Sequence, residues 1–394
     1  MRIQRLLLLL FITLFLNNQG NAFDLTSQAE ISVITCSPGD EAYSVYGHSA
    51  IRVKDESRNY DMVFNYGIFD FGSTNFIYRF AKGQTDYLLG VYPFSVFLKG
   101  YVEEQRNVYE QVLNLKPGEK QKIFDFLLWN ALPENRVYRY NFFFDNCATR
   151  VRDVVAQNID GGIEYSDKET GKTFRTLIKD YHGRFLWLNF GIDFLVSADS
   201  DRKATLEEEM FLPDYVMKHF AGALRGDNRQ SLVSLSQIVF QAPDKPMKEN
   251  WLTGPFAVFS LFFIVVLVLT IRQFRKGKLR WFTDFMVYGL NGLGGLLIAW
   301  FALYSEHPAM SPNFNLFWLV PLNLFFVLIC LKTRWRPATK YYHLLISAWL
   351  ILFVAISSFL PQKFHPAFYV LAAILLTRSV AHSVMILKER ALRK

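Results

Sequence analysis

A chain of 394 residues has room for more than one domain, and its 51% hydrophobic content is unevenly spread: long apolar runs lie at the N-terminus and beyond Pro255, with ordinary globular composition between them. The formal charge of +8 sums unlike parts, since residues 23–254 hold 26 Lys and Arg against 32 Asp and Glu, a mildly acidic balance that argues against a nucleic-acid partner. Of three cysteines, Cys36, Cys147 and Cys330, none pairs with another Cys or a His at metal-ligand spacing, so no structural zinc is expected, and no cofactor.

In chain order, Arg2 and Arg5 precede the apolar run Leu6 to Leu16, and Gly20-Asn-Ala22 supplies the small residues a signal peptidase requires. Residues 1–22 therefore read as a secretory signal, cleaved after Ala22. Glu30 to Thr35 alternates as a strand, which the turn chemistry of Cys36-Ser-Pro-Gly-Asp40 ends. His48 to Val53 is the next strand; Ile51 and Val53 share one face and His48, Ala50 and Arg52 the other, so His48 need not belong to a core. Asp61 to Gly67 is a third, on which Asn65 can orient an imidazole carried by the neighbouring strand. From Gly67 to Tyr101 the chain is aromatic and poorly periodic. It reads either as ordinary core over the sheet or as an apolar groove for an acyl chain, with Phe94 and Phe97 as candidate contacts. Asn107 to Leu115 is a further strand, and Pro117 to Leu132 an amphipathic helix with Pro and Glu in its first turn.

The extended run Val137 to Phe144 turns at Asp145-Asn146 into a helix starting close to Cys147, because both residues are good N-cap types and Ala148, Val151, Val155 and Ile159 recur at helical spacing. A cysteine at a helix N-terminus is a candidate nucleophile: unpaired N–H groups and the positive end of the helix dipole stabilise its thiolate and the oxyanion its attack creates. His48 is the candidate base. The competing reading of Cys147 is a structural disulfide with Cys36, since an exported domain meets an oxidising compartment. His182, within Phe174 to Phe194, is a second candidate histidine but reads as a surface residue after a run of charges. Thr205 to Leu224 reads as helical with an interruption at Pro213, and the polar stretch 226–254, with Gly226, Pro243 and Pro246, as a tether.

Five apolar segments follow, at about 255–271, 281–304, 314–331, 342–360 and 366–387, each long enough to cross a bilayer. The loops 272–280 and 332–340 and the tail 388–394 together carry thirteen Lys and Arg, whereas the alternate loops carry only Lys363. That contrast puts the basic loops and the C-terminus in the cytoplasm and residues 23–225 outside. Gly289, Gly292 and Gly295 with Asn291 suit close helix packing, and Arg378 and His382, on one helix face, suit snorkelling or lipid head-group contact.

Thr35-Cys-Ser-Pro-Gly-Asp, Tyr46-Gly-His48-Ser-Ala-Ile-Arg52-Val, Phe64-Asn-Tyr-Gly67 and Phe144-Asp-Asn-Cys147-Ala-Thr-Arg150 together resemble the Lnb family, lipoprotein N-acyltransferases of Bacteroidetes. The resemblance implies an α+β, circularly permuted papain-like (NlpC-type) periplasmic domain followed by an all-α domain of five transmembrane helices, in the inner membrane. It further implies catalysis by Cys147 and His48, with Asn65 as the orienting residue by its place on the next strand and Asp70 or Asp145 as alternatives. Tyr66 and Arg150 join Phe94 and Phe97 as candidate substrate contacts. The implied reaction takes a fatty acyl group from a phospholipid onto Cys147 as a thioester, then passes it to the α-amine of a diacylglyceryl-cysteine lipoprotein. The competing functions are a membrane-anchored cysteine peptidase or amidase acting on peptidoglycan peptides, and a non-enzymatic sensor.

Overall fold

The computed structural model describes residues 24–69, 74–243, 250–330 and 339–391. The signal peptide and Asp70 lie outside these residues. Three strands open the exported part, β1 (Glu30–Cys36), β2 (His48–Asp55) and β3 (Tyr60–Ile68), each antiparallel to the next. A short helix α1 (Phe76–Lys82) leads to β4 (Asp86–Pro93), antiparallel to β3, and then to helix α2 (Phe94–Glu103). The aromatic stretch that lacked a clear period is thus helix, strand and helix, with changes of element too frequent for any one period to show.

Next come β5 (Val108–Leu113), helix α3 (Pro117–Asn130), β6 (Val137–Arg139) and helix α4 (Cys147–Asn158). After β7 (Ile163–Glu164) the chain turns helical, with α5 (Phe174–His182), α6 (Leu186–Leu195), α7 (Leu206–Glu209) and α8 (Pro213–Gly222), before β8 (Leu224–Arg225) and β9 (Val233–Phe240). β9 pairs antiparallel with β5 and completes a seven-stranded sheet in the order β6-β4-β3-β2-β1-β5-β9. The sequence reading placed these residues in a tether from 226 onward. In Val233-Ser-Leu-Ser-Gln-Ile-Val-Phe240 only the first half alternates, and the polar residues of this largely exposed edge strand mask it as linker.

Strand alternation sorts the side chains into two cores. Ile31, Val33, Ile51, Val53, Phe64 and Tyr66 face α3 and α4, where they meet Ile123, Phe124, Leu127, Val151 and Val155. Ile34, Cys36, Ala50 and Val63 face α2, where they meet Phe94 and Phe97. Burial of each large apolar side chain contributes roughly 1.5–3 kcal/mol. The second of these cores fixes the strand ends from which the site is built.

The C-terminal part holds α9 (Pro255–Arg275), α10 (Trp281–Tyr304), α11 (Leu322–Cys330), α12 (Lys340–Ile356) and α13 (Pro366–Ala391). Among the described residues, four helices are long and apolar enough to cross a membrane, and five spans result if the bent pair 308–317 and 322–329, angled at 46°, counts as one broken span. The sequence reading had 314–331 as one unbroken apolar segment. Its irregular backbone is satisfied from α10: Asn291 Nδ2 donates to the Trp318 carbonyl, and Asn291 Oδ1 accepts from the Val320 N–H and from Asn323 Nδ2. Gly292 and Gly295 let the break approach, since a Cβ there would lie 2.5 Å from Leu324 N and 2.8 Å from Pro321 N. Gly289, by contrast, has nothing within 4 Å of such a Cβ.

Arg378 and His382 do not snorkel. The Arg378 guanidinium is fully buried and bonded to Asp284, Thr270 and Gln273, while His382 Nε2 lies 2.9 Å from the other Asp284 oxygen. A charge in this setting is tolerable only when paired, and Asp284 on α10 supplies the pairing.

Candidate active site

Cys147 is the first residue of α4, and the helix starts there because Asn146 caps it. The Asn146 side chain accepts the N–H groups of Ala148 (2.9 Å) and Thr149 (3.0 Å), and Thr149 Oγ1 accepts the Asn146 N–H (2.8 Å), a reciprocal cap. Asn146 is itself fixed by donating to the carbonyls of Phe142 and Phe211. His48 is the first residue of β2, and Asn65 lies on the adjacent strand β3. His48 Nε2 stands 2.5 Å from Asn65 Oδ1, so the ring donates there and Nδ1 is left for the thiol, with which His48 is hydrogen-bonded. Gly67 closes the group from above: at φ +100° it takes a conformation L-residues avoid, and a Cβ there would sit 3.6 Å from both Cys147 Cβ and His48 Cε1.

Burial opposes charge on the Cys147 thiol. The charge and hydrogen bond of His48, and the N–H groups of Ser49 and Ala148, outweigh it and hold the thiol below its ordinary value. Burial likewise opposes the His48 imidazolium, and the neighbouring thiolate, its hydrogen bond and Asn65 raise it above the ordinary value nonetheless. The two shifts describe one coupled pair that favours thiolate and imidazolium together. Such a pair is suited to nucleophilic attack on a carbonyl.

An aromatic wall surrounds it. Tyr101 on α2 stacks on the His48 ring at 6.4 Å, and Phe69, Tyr87 and Tyr140 form a chain beside Cys147, with centroids 5.0 and 4.1 Å apart. In the sequence Phe69 and Tyr101 appeared only as members of the aromatic stretch, and Tyr87 and Tyr140 did not stand out, because each lies in a region where aromatics are abundant. Gly67 was visible within Asn65-Tyr-Gly67, although its positive φ was not.

The structure brings Cys147, His48 and Asn65 together and distributes the other candidates differently. Asp145 is held in a bidentate ion pair by Arg150, at 2.6 and 2.8 Å, and is not turned toward His48. Arg150 also lies over the Tyr138 ring at 4.0 Å. Tyr66 is a core residue whose hydroxyl donates to Asn130 Oδ1 at 2.6 Å, and Phe94 and Phe97 are buried between α2 and the sheet instead of lining an open groove. Cys36 pairs in register with His48 but points into the α2 core, where burial pushes its thiol up; both cysteines are free, so the disulfide reading fails. His182 is buried, not on the surface: its Nδ1 lies 3.0 Å from the Tyr46 hydroxyl, and burial holds it down at about 4.

The end of the sheet that carries the site faces the membrane helices. Ser305 Oγ donates to the Ala81 carbonyl, Glu306 N to the Lys82 carbonyl, and Asn313 and Asn315 donate to the carbonyls of Leu195, Asp193 and Phe194. Phe190 of α6 packs on Phe368 of α13, 5.3 Å between ring centroids.

No curated protein and no solved structure matches the chain. Two family models do: the Lnb N-terminal periplasmic domain over residues 18–180, and the Lnb transmembrane domain over residues 247–390. A sheet-rich domain followed by a bundle of apolar helices is the order these two matches require, and the chain belongs to the Lnb family.

Proposed function

We propose that this protein is a lipoprotein N-acyltransferase of the inner membrane, with Cys147 as nucleophile, His48 as acid and base, and Asn65 as the residue that orients His48. The observation that carries the proposal is the hydrogen-bonded series Cys147, His48, Asn65 at the end of the sheet turned toward the membrane helices. A cysteine opening a helix and a histidine on a strand, in the order His before Cys, also agree with a circularly permuted papain-like domain.

In the first step the Cys147 thiolate attacks the ester carbonyl of a phospholipid acyl chain. The Cys147 N–H, which is not part of the Asn146 cap, is available to the developing oxyanion. The His48 imidazolium gives its proton to the departing glycerol oxygen, leaving a thioester and a lysophospholipid. In the second step the free α-amine of a diacylglyceryl-cysteine lipoprotein attacks the thioester. Neutral His48 takes the amine proton, and the amide forms as the thiolate leaves. Both substrates are embedded in the outer leaflet, so a site at the membrane end of an anchored domain meets them at high effective concentration.

The topology supports this. The bent pair starts beside the exported domain, where Asn313 and Asn315 bond to α6, and its second helix opens where Tyr342 of α12 bonds to Asn323, near Tyr288 and His343. Counted as one span it gives five crossings, an exported domain and a cytoplasmic C-terminus, in agreement with the basic loops. The test is a reconstituted assay with labelled phospholipid and a lipoprotein peptide bearing a free amine. Label should move to the peptide with the unaltered enzyme and not with Cys147→Ser or His48→Ala. Cleavage of peptidoglycan peptides with both lipids left untouched would replace this reading with a peptidase.

A further inference from the structure

We infer that α1 is a lipid-dipping element, a surface that sits in the outer leaflet and brings a donor phospholipid's ester to Cys147; the inference deepens the acyltransferase reading and rests on it. Two strand ends wall the site, β3 with Gly67 and Phe69 and β4 with Tyr87, and α1 lies on the excursion that joins them. Any lipid contact of α1 is therefore one strand end from the thiol.

The surface of α1 is unlike that of a soluble domain. Ile77 is 83% exposed, and Tyr78 and Phe80, 56% and 47% exposed, flank it within a single turn. Three such side chains left in water forfeit the gain that burying apolar surface brings, so another phase covers them. What covers them follows from their neighbours. α1 is pinned to the end of the membrane-spanning helix α10: Tyr78 rests on Trp300 at 6.1 Å, His307 Nε2 lies 2.7 Å from the Phe80 carbonyl, and Gln84 Nε2 donates to Glu306 at 2.5 Å. Leu303 and Tyr304 continue the apolar surface of α1 down α10. The patch is thus continuous with the lipid-facing side of a transmembrane helix, at the depth where Trp and Tyr anchor in the head-group region. The occupant is the outer-leaflet bilayer. Lys82, at the C-terminal end of α1, makes no ion pair among the described residues and stands where a lipid phosphate would lie.

The test uses the full chain in nanodiscs of phosphatidylethanolamine and phosphatidylglycerol, with Cys36→Ala, Cys147→Ala and Cys330→Ala clearing the native thiols. A polarity-sensitive fluorophore is placed at Ile77→Cys, and in a second protein at Ser57→Cys, in the exposed turn at the opposite end of β2 and β3. Nitroxide-labelled acyl chains should quench the probe at position 77 severalfold more than the probe at 57. Equal quenching, or none at 77, overturns the inference whatever the enzyme's activity. In the otherwise unaltered chain, Ile77→Asp with Phe80→Asp should slow acylation of Cys147 by nanodisc phospholipid at least tenfold; an unchanged rate overturns the delivery role even if the patch is immersed. If the unaltered enzyme never acylates Cys147, the acyltransferase reading fails while the quenching result still decides where α1 sits.

Discussion

Burial alone would keep Cys147 protonated and His48 neutral, and each holds the other charged instead. The rate of Cys147 acylation should therefore follow a bell in pH, rising as the thiol ionises below its ordinary 9.0 and falling as the imidazolium deprotonates above its ordinary 6.5. Cys147→Ser removes the thiolate that raises His48, while burial and Asn65 stay. The His48 ring, followed by NMR of labelled histidine, should then titrate at lower pH than in the parent; an unmoved titration means the two groups are not coupled. His182 behaves oppositely. Burial depresses it to about 4, so between there and 6.5 the unfolded chain binds the extra proton and stability falls with falling pH, by up to roughly 1.4 kcal/mol per unit from this group. Its role is to satisfy the buried Tyr46 hydroxyl. His182→Leu should abolish that pH dependence in thermal melts and cost about 1–3 kcal/mol through the unpaired hydroxyl.

The elements that frame the site are two strand ends, a capped helix start and a glycine. Gly67→Ala has room for its methyl group, since the contacts would be 3.6 Å, but not for its backbone at φ +100°. About 1–3 kcal/mol of strain should appear in denaturant unfolding, together with a loss of acylation as Cys147 and His48 are pushed apart. Unchanged stability and rate would mean that the bulge at Tyr66 to Ile68 is not needed. Much of this frame was legible in the sequence. The strand of His48 alternates, that of Asn65 follows it after a polar turn, and Asn146 ahead of Ala148, Val151 and Val155 announces a helix at Cys147. What stayed hidden has a physical reason in each case. Phe94 and Phe97 could equally have been groove or core, because burial against a sheet is a tertiary fact, and Tyr66 found its partner Asn130 across 64 residues. His182 read as surface because the charges around it, Lys179, Asp180 and Arg184, gave no sign that Tyr46 would come from 136 residues away to cover it.

At the scale of the whole molecule, the helix bundle packs against the end of the domain that carries the Cys147, His48 and Asn65 cluster, and a buried charge cluster helps to lock that bundle. Asp284→Ala leaves the Arg378 guanidinium buried without its partner and should cost about 3–5 kcal/mol, read as loss of folded protein in detergent melts. Asp284→Leu with Arg378→Met should recover much of it, because an apolar pair removes the uncompensated charge; equal damage from both would assign the cluster a functional role instead. Asn291→Leu strips the broken span of its cap and should lower stability by about 1–3 kcal/mol through the exposed Val320 N–H and Trp318 carbonyl. All of these serve a single claim, that Cys147 carries an acyl group between two lipids. Intact-mass spectrometry of the protein purified with its membrane phospholipids tests it most directly. The mass should exceed that of the bare chain by one fatty acyl group, return to the bare value when a lipopeptide with a free α-amine is added, and never rise in Cys147→Ser. An unacylated Cys147 in protein that still N-acylates the lipopeptide would contradict the thioester mechanism.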